Sequence, residues 1–307
     1  MKTPDSDRLR HRLEQPTGKV DLVLDTDTDN EIDDQFALAW AVLLRDTFDL
    51  QAIYAAPFHN HRSTGPGDGM RRSEEEIHRI LGVMRRPARG FVHRGSEAWI
   101  SDTGTSVPSA ARDDLIERAR LRPDDAPLYV AAIGAITNVA AALLAAPEIR
   151  EKLVLLWLGG HPLHWPRTDE FNFQGDLEAS RVVLDCGVPL VLFPCRTVAE
   201  LLQTTSAELQ THVLGRSPIA DELCRLFMRY DHARLRTPGT SKVIWDLAPL
   251  AWLAEPQSIH TTLVPSPAVT DDFVWKPRAD GHLIRIATRI KRDPVFRNFF
   301  RSLECDA

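Results

Sequence analysis

The 307-residue chain has only four cysteines, Cys186, Cys195, Cys224 and Cys305. They are too few and too widely spaced for a disulfide framework or a CxxC zinc site, so they read as incidental thiols of a reducing compartment. Long apolar runs are missing as well. No stretch approaches the roughly 18 residues a membrane span needs, and the opening "MKTPDSDRLRHRLEQPTG" has no apolar h-region. A soluble, cytoplasmic protein is expected. Nor is positive charge in excess: the formal net charge is −6. The arginines are scattered through segments such as "MRRPARG" (Met84–Gly90), without interleaved aromatics. Neither a nucleic-acid nor a membrane partner is expected. No Ser/Gly-rich linker and no internal repeat divides the chain. One domain over 1–307 is therefore expected, with an N-terminal arm over about 1–18 and a helical insertion over about 199–245.

What is present is ample core material, 43% hydrophobic residues, in a regular order. "VDLVLD" (Val20–Asp25) reads as a buried strand and "DDQFALAWAVLL" as the helix after it. "LQAIYAA" (Leu50–Ala56) is followed by the amphipathic "SEEEIHRILGVM" (Ser73–Met84). "PLYVAAIG" with "TNVAAALLAAP", and "KLVLLWLGG" with "DLEASRVVLDCG", repeat the unit, and "VPLVLFP" (Val188–Pro194) adds another strand. These strands lack polar alternation, as strands covered on both faces do. The order predicts an α/β fold with a doubly wound, mainly parallel central sheet and flanking helices. The tail from Thr261 has β-like pieces, "TTLVP" and "HLIRIATRI", that the pattern places only loosely. In such folds ligands gather at the carboxyl ends of the strands. Asp25, Phe58-His59-Asn60, Ile133-Gly134, Gly159-Gly160 and Pro194 fall there.

Between Asp25 and Asp34, six of ten residues are acidic. As a calcium-binding EF-hand loop, Asp25, Asp27 and Asp29 fit positions 1, 3 and 5. Asn30, however, replaces the required Gly, Phe36 stands where the bidentate Glu belongs, and a strand precedes the loop. As a DxD phosphatase, "DTDTD" fits the opening and "GDLEAS" a later acidic motif, but the extra carboxylates would repel a phosphate dianion. A helix start favours Asp33 or Asp34 through its dipole, yet that leaves Asp25 and Asp27 without a reason. A hard divalent cation held by several of these carboxylates accounts for the whole cluster.

The loop "DTDTDNEIDD" resembles the aspartate signature of the nucleoside hydrolase family, the inosine–uridine-preferring type, in its longer form. Asn60 in "YAAPFHNH", "AIGAITNVAAAL", "LGGHPLHWPRTDEFNFQGDLEAS" and "WDLAPLAWL" resemble four further family elements in the same order. The resemblance implies a calcium ion held by Asp27, Asp34, the Thr137 carbonyl and Asp246. It implies Asn60, His164, Glu170 and Asn172 at the sugar, and Asp27 or Asp33 as the base that takes a proton from water. Its reaction is hydrolysis of the N-glycosidic bond of a riboside, a small-molecule substrate, and family members are commonly homodimers or homotetramers.

Two departures matter. Trp245 stands where many members have a His that protonates the leaving base, and an indole cannot do this. Asp29 stands where the family has Gly, at a position expected to need positive φ, which Asp tolerates better than most residues. His59, His61, His161 and His164 flank motif residues and are candidates for the missing acid. Trp157 and Trp165 are candidates to stack on a base. Two rival functions follow: a same-fold hydrolase for another sugar or aglycone, and a nucleoside- or sugar-binding protein without turnover.

Overall fold

Successive side chains of the strand Val20–Thr26 (β1) enter opposite apolar layers: Leu22 and Leu24 lie in one core cluster and Val23 in the other. Period-two alternation within an all-apolar run requires cover on both faces, and the molecule supplies it. The computed structural model describes residues 6–230 and 237–304.

In chain order the further strands are β2 (Phe48–Ala55), β3 (Val92–Arg94), β4 (Leu128–Ala132), β5 (Leu153–Leu158), β6 (Leu190–Phe193), β7 (Gln203–Thr204), β8 (Lys242–Val243), β9 (Ile259–Pro265), β10 (Ala268–Val269), β11 (Trp275–Lys276) and β12 (Leu283–Ile290). Eight form the central sheet in the order β3-β2-β1-β4-β5-β6-β12-β9. All pairs are parallel except β12 with β9, which closes one edge antiparallel. The mainly parallel, doubly wound sheet expected from the pattern is the one observed. The tail is more ordered than its sequence suggests, since β12 pairs with β6 inside the sheet and only β9 is an edge.

Strand order reverses between β1 and β4, so the loops after these strands diverge and leave a crevice at their carboxyl ends. The helix Asp33–Leu43 begins there. It is buried from Asp33 to Val42 and packs against the helices Leu247–Ala254 and Arg292–Ser302. Phe36 and Trp40 meet Phe299 with ring centroids 5.7 and 6.0 Å apart. A helix so enclosed holds its first turn, and with it Asp33 and Asp34, in a fixed place.

Elsewhere the elements depart from expectation. The helix expected from Ser73 begins at Pro66, because Pro suits the first helical position and the two glycines after it do not stop the helix here. Gly69 makes that start possible: a Cβ there would lie 1.9 Å from the Phe58 carbonyl oxygen. Gly69→Ala is expected to cost about 2 kcal/mol or more through this backbone clash, read as a lowered denaturation midpoint.

The 199–245 region holds the helices Ser206–His212 and Pro218–Tyr230, but also the antiparallel pair β7–β8, so it is not purely helical. Residues 231–236 of it lie outside the described residues. In the N-terminal arm, the helix Ser6–Arg12 sends Leu9 into the core, and the Arg12 guanidinium reaches the Asp124 and Asp125 carbonyls. Among the described residues no helix is long and apolar enough to cross a membrane.

Candidate active site

The crevice at the strand ends opens into a cleft of about 930 Å³ whose lining includes Asp27, Asp33, Asp34 and Asp246. The loop after β1 delivers Asp27, the first turn of the next helix Asp33 and Asp34, and the start of the helix Leu247–Ala254 delivers Asp246. One carboxylate oxygen from each of Asp33, Asp34 and Asp246 lies within 4.8 Å of the others. All four residues are buried, and both Asp27 oxygens lack any hydrogen-bond partner.

Leaving carboxylates dry and unpaired is costly unless they are protonated or neutralised by a cation. Burial, and then their mutual repulsion, push Asp27 and Asp246 well above the ordinary carboxylate range. Burial likewise drives Asp33 up, against the pull of the Lys242 ammonium. Asp34 is pushed up to about 7 by burial, although the Thr26 hydroxyl donates to its Oδ1 at 2.5 Å. Hard oxygen donors converging from two helix starts, with the orphaned Asp27 carboxyl of the preceding loop beside them, fit a divalent cation.

Asp25 lies behind the cleft. Its Oδ1 accepts from Asn138 Nδ2 at 2.8 Å, and burial pushes its carboxyl up to about 7. Asn138 in turn accepts from the Ser96 N–H at 2.8 Å, so the helix Thr137–Ala145 is tied to the end of β1. The EF-hand assignment, which needs Asp25 as a ligand, fails here.

Asp176 of "GDLEAS" is also remote from the cleft lining. Its carboxylate accepts from the Ile100 and Ser101 N–H groups, the Ser101 hydroxyl and, at 2.9 Å, the Thr137 hydroxyl. That engagement removes the phosphatase reading's second motif. Thr137 itself is buried at the helix start and is not among the residues lining the cleft. The preceding loop does touch the site, since a Cβ on Gly134 would lie 3.0 Å from Asp27 Cγ.

On the opposite wall, Glu170 caps the short helix Phe171–Gly175. Its carboxylate accepts from the N–H groups of Asn172 (3.1 Å), Phe173 (3.1 Å) and Gly160 (2.9 Å). Burial raises its pKa in spite of these bonds. Asn172 donates both amide hydrogens, to the Ile133 and Leu158 carbonyls at 3.1 Å, which leaves its amide oxygen as the atom able to meet a ligand. Asn60 lines the cleft too, but it donates to Asn30 Oδ1 and accepts from the Arg62 N–H, both at 2.8 Å, bracing the acidic loop. Trp245, partly buried against the core, lines the cleft next to Asp246 in sequence.

His164 is exposed outside the cleft, with its ring against Trp165 at 6.3 Å. Trp157 is core, stacked on Phe173 at 5.4 Å, and Trp165 does not line the cleft. Of the four flanking histidines, His61 and His161 do.

Sequence reasoning missed several groups. Lys242, almost fully buried on β8, bonds Glu31 and lies 4.8 Å from the centroid of the Tyr230 ring. Burial opposes its charge, but Asp33 and Glu31 outweigh that and raise its pKa. Glu31 also accepts from the Tyr230 hydroxyl at 2.6 Å. Burial would raise this carboxyl, yet Lys242 and Tyr230 hold it below its ordinary range. No spacing signal marks a lone Lys in "SKVIWD"; only the fold brings it to the acids. Phe171 lines the cleft next to Glu170, and its place inside the "EFN" segment was a signal available to the sequence. Cys195 also lines the cleft, but burial and the adjacent Glu170 push its thiol well above its ordinary value, so it is no nucleophile. Asp29 has φ 93°, the left-handed backbone expected where the family has Gly, and it pairs with Arg62 at 2.9 Å.

The sheet and its strand-end carboxylates define an α/β protein with a deep acidic cleft at the topological switch point. Residues 22–293 match the family described as inosine-uridine preferring nucleoside hydrolase, and the chain belongs to that family. It is 30% identical over 147 residues to the pyrimidine-specific ribonucleoside hydrolase RihA of Enterobacter sp. (strain 638), a match covering 46% of each chain. The chain therefore spans about half the length of the curated relatives it matches. Among solved structures, it superimposes on a plant nucleoside hydrolase, PpNRh1, with TM-score 0.72 and 17% identity over 93% of this chain and 99% of that one. A purine-preferring ribonucleoside hydrolase from Gardnerella vaginalis gives TM-score 0.70 and 16% identity over 93% and 98%.

Proposed function

We propose that the protein is a calcium-dependent hydrolase of the N-glycosidic bond of a ribonucleoside or related riboside, yielding free base and ribose. The observation that carries this reading is the convergence of Asp33, Asp34 and Asp246 beside the unpartnered Asp27 carboxyl. These four carboxylates, with the Thr137 carbonyl, are the groups that would hold the cation. When bound, the cation supplies charge that acidifies water and orients the sugar's vicinal hydroxyls. Asp27, with neither oxygen engaged by the protein, is the group placed to take the proton of the attacking water. Asp33 is the alternative, but the Lys242 ammonium pulls its pKa down against the effect of burial. The Asn172 amide oxygen and the remaining lone pairs of Glu170 accept from sugar hydroxyls. Phe171 and Trp245 offer flat apolar faces to the ring and base. The water oxygen bonds to the anomeric carbon, the C–N bond breaks, and its electron pair leaves with the base. Since Trp245 cannot protonate that base, His61 and His161 are the histidines of the cleft lining that could do so, although burial lowers the His161 pKa.

The reading places the enzyme in the cytoplasm as a homodimer or homotetramer, which sedimentation would check. Its test is chromatography of uridine, cytidine and inosine after incubation with the calcium-loaded protein. Pyrimidines come first because the curated relative is pyrimidine-specific. Free base with an equal yield of reducing sugar supports hydrolysis. Saturable binding without base release in any arm would instead mean a binding protein.

A further inference from the structure

Five arginines, Arg62, Arg79, Arg196, Arg225 and Arg229, line the same cleft whose floor is acidic. Three of them are matched by carboxylates. Arg62 pairs with Asp29 at 2.9 Å, Arg79 with Glu76 at 2.6 Å and Arg225 with Glu222 at 2.7 Å. The other two are matched less closely. Arg196 has only Glu200 at 3.7 Å, and Arg229 makes no ion pair among the described residues.

Both arginines are exposed on segments whose neighbouring residues are tied to the cleft. Arg196 follows Cys195, whose N–H donates to the Gly160 carbonyl at 2.9 Å, while the Gly160 N–H donates to Glu170. After Arg196 the chain passes through Thr197 at φ 60°, held there by an N–H bond to Glu200 Oε1 at 2.6 Å. A β-branched residue in the left-handed region is disfavoured and persists only where its surroundings impose it. The strained loop thus sets the backbone that carries Arg196 after β6. Arg229 precedes Tyr230, whose hydroxyl bonds Glu31 of the acidic loop. It also shares a helix face with Arg225 one turn earlier. Arg196 and Arg229 therefore line the cleft from different segments, and a neutral nucleoside offers neither of them a countercharge.

Resting on the riboside-hydrolase reading, we propose that the substrate this cleft takes carries a phosphate on the sugar's 5 position, bound by Arg196 and Arg229. The acidic floor takes the 2- and 3-hydroxyls, so the 5-carbon is the end of the ribose directed toward the mouth. Guanidinium forks match phosphate oxygens in geometry and charge.

The experiment compares p-nitrophenyl β-ribofuranoside with its 5-phosphate on the calcium-loaded protein, in wild type, Arg196→Ala, Arg229→Ala and Arg196→Lys. The expected kcat/KM ratio favours the phosphorylated probe by on the order of tenfold or more, carried mainly by KM. Each Ala variant lowers that ratio by on the order of 10- to 100-fold, and Arg196→Lys restores part of it. Inorganic phosphate is expected to compete with the phosphorylated probe and to do so poorly in the Ala variants. Turnover of the neutral probe with no preference for its phosphate overturns the inference and leaves the hydrolase reading standing. Turnover of neither probe overturns the hydrolase reading. Calorimetry of ribose 5-phosphate against ribose then still decides the anion site: tighter binding of the phosphate, lost in Arg196→Ala, supports it, and equal binding overturns it.

Discussion

Asp27→Asn is expected to lower riboside turnover by about 10³-fold while leaving the protein folded. The change removes one charge and no volume from a position where neither carboxylate oxygen has a protein partner. An amide oxygen still presents a dipole to a cation, but it cannot take a proton from water at neutral pH. Stability should hold or rise, because burial and the neighbouring Asp34 and Asp33 already disfavour the charged form of Asp27. Thermal melts and kcat, measured on the same preparation, separate loss of chemistry from loss of fold. A variant that retains a tenth of wild-type turnover would remove Asp27 from the role of base and move it to Asp33. Asp246→Asn differs in kind: it deletes one corner of the donor triangle. It is expected to weaken calcium binding by more than it lowers turnover at saturating calcium.

Without cation, the protein is expected to lose stability as pH rises from about 4 to about 7. Asp25 and Asp34 are each pushed up to about 7 by burial, while unfolded aspartate titrates near its ordinary 3.8. Within that window the native state holds more protons than the unfolded one, so unfolding free energy falls with rising pH. Each of these two groups contributes at most about 1.4 kcal/mol per pH unit, and its share of the slope flattens above pH 7, where it is ionised in both states. Calcium should reverse this trend by binding the ionised carboxylates. At a hundredfold excess over Kd it stabilises by about 2.7 kcal/mol. Binding must then release protons near pH 6, and calorimetry in buffers of different ionisation enthalpy reads that release directly. A metal-free melting temperature that climbs between pH 5 and 7 would contradict this account.

Much of this was legible in the sequence, for identifiable reasons. Strands such as Leu153–Leu158, apolar at every position, announce a sheet buried on both faces. Asp27, Asp33 and Asp34 stood out because a cluster of acids between apolar elements has no packing reason to be there, and Asp246 through the resemblance of "WDLAPLAWL" to a family element. The backbone at Asp29 followed from a single steric rule. What escaped depended on long-range placement. Lys242 meets Glu31 across more than two hundred residues of chain, and no local pattern encodes that contact. Arg196 and Arg229 look like ordinary surface residues until the fold turns them to the cleft rim. His164 shows the opposite error: spacing suggested a sugar contact, but the loop around Trp165 carries the ring out to solvent. Asp176 looked like a motif acid, whereas its five donors make it a helix cap and an anchor for residues 100–101 and Thr137.

The central claim is that these carboxylates form a cation-dependent ribohydrolase centre. It is tested most directly by release of p-nitrophenolate from p-nitrophenyl β-ribofuranoside, with calcium and with a chelator. This leaving group departs without protonation, so the assay isolates the sugar and carboxylate half of the site from the question posed by Trp245. Release that chelator abolishes and added calcium restores is the expected result. Release of equal rate in chelator, or none from folded protein shown to bind calcium, would contradict the account.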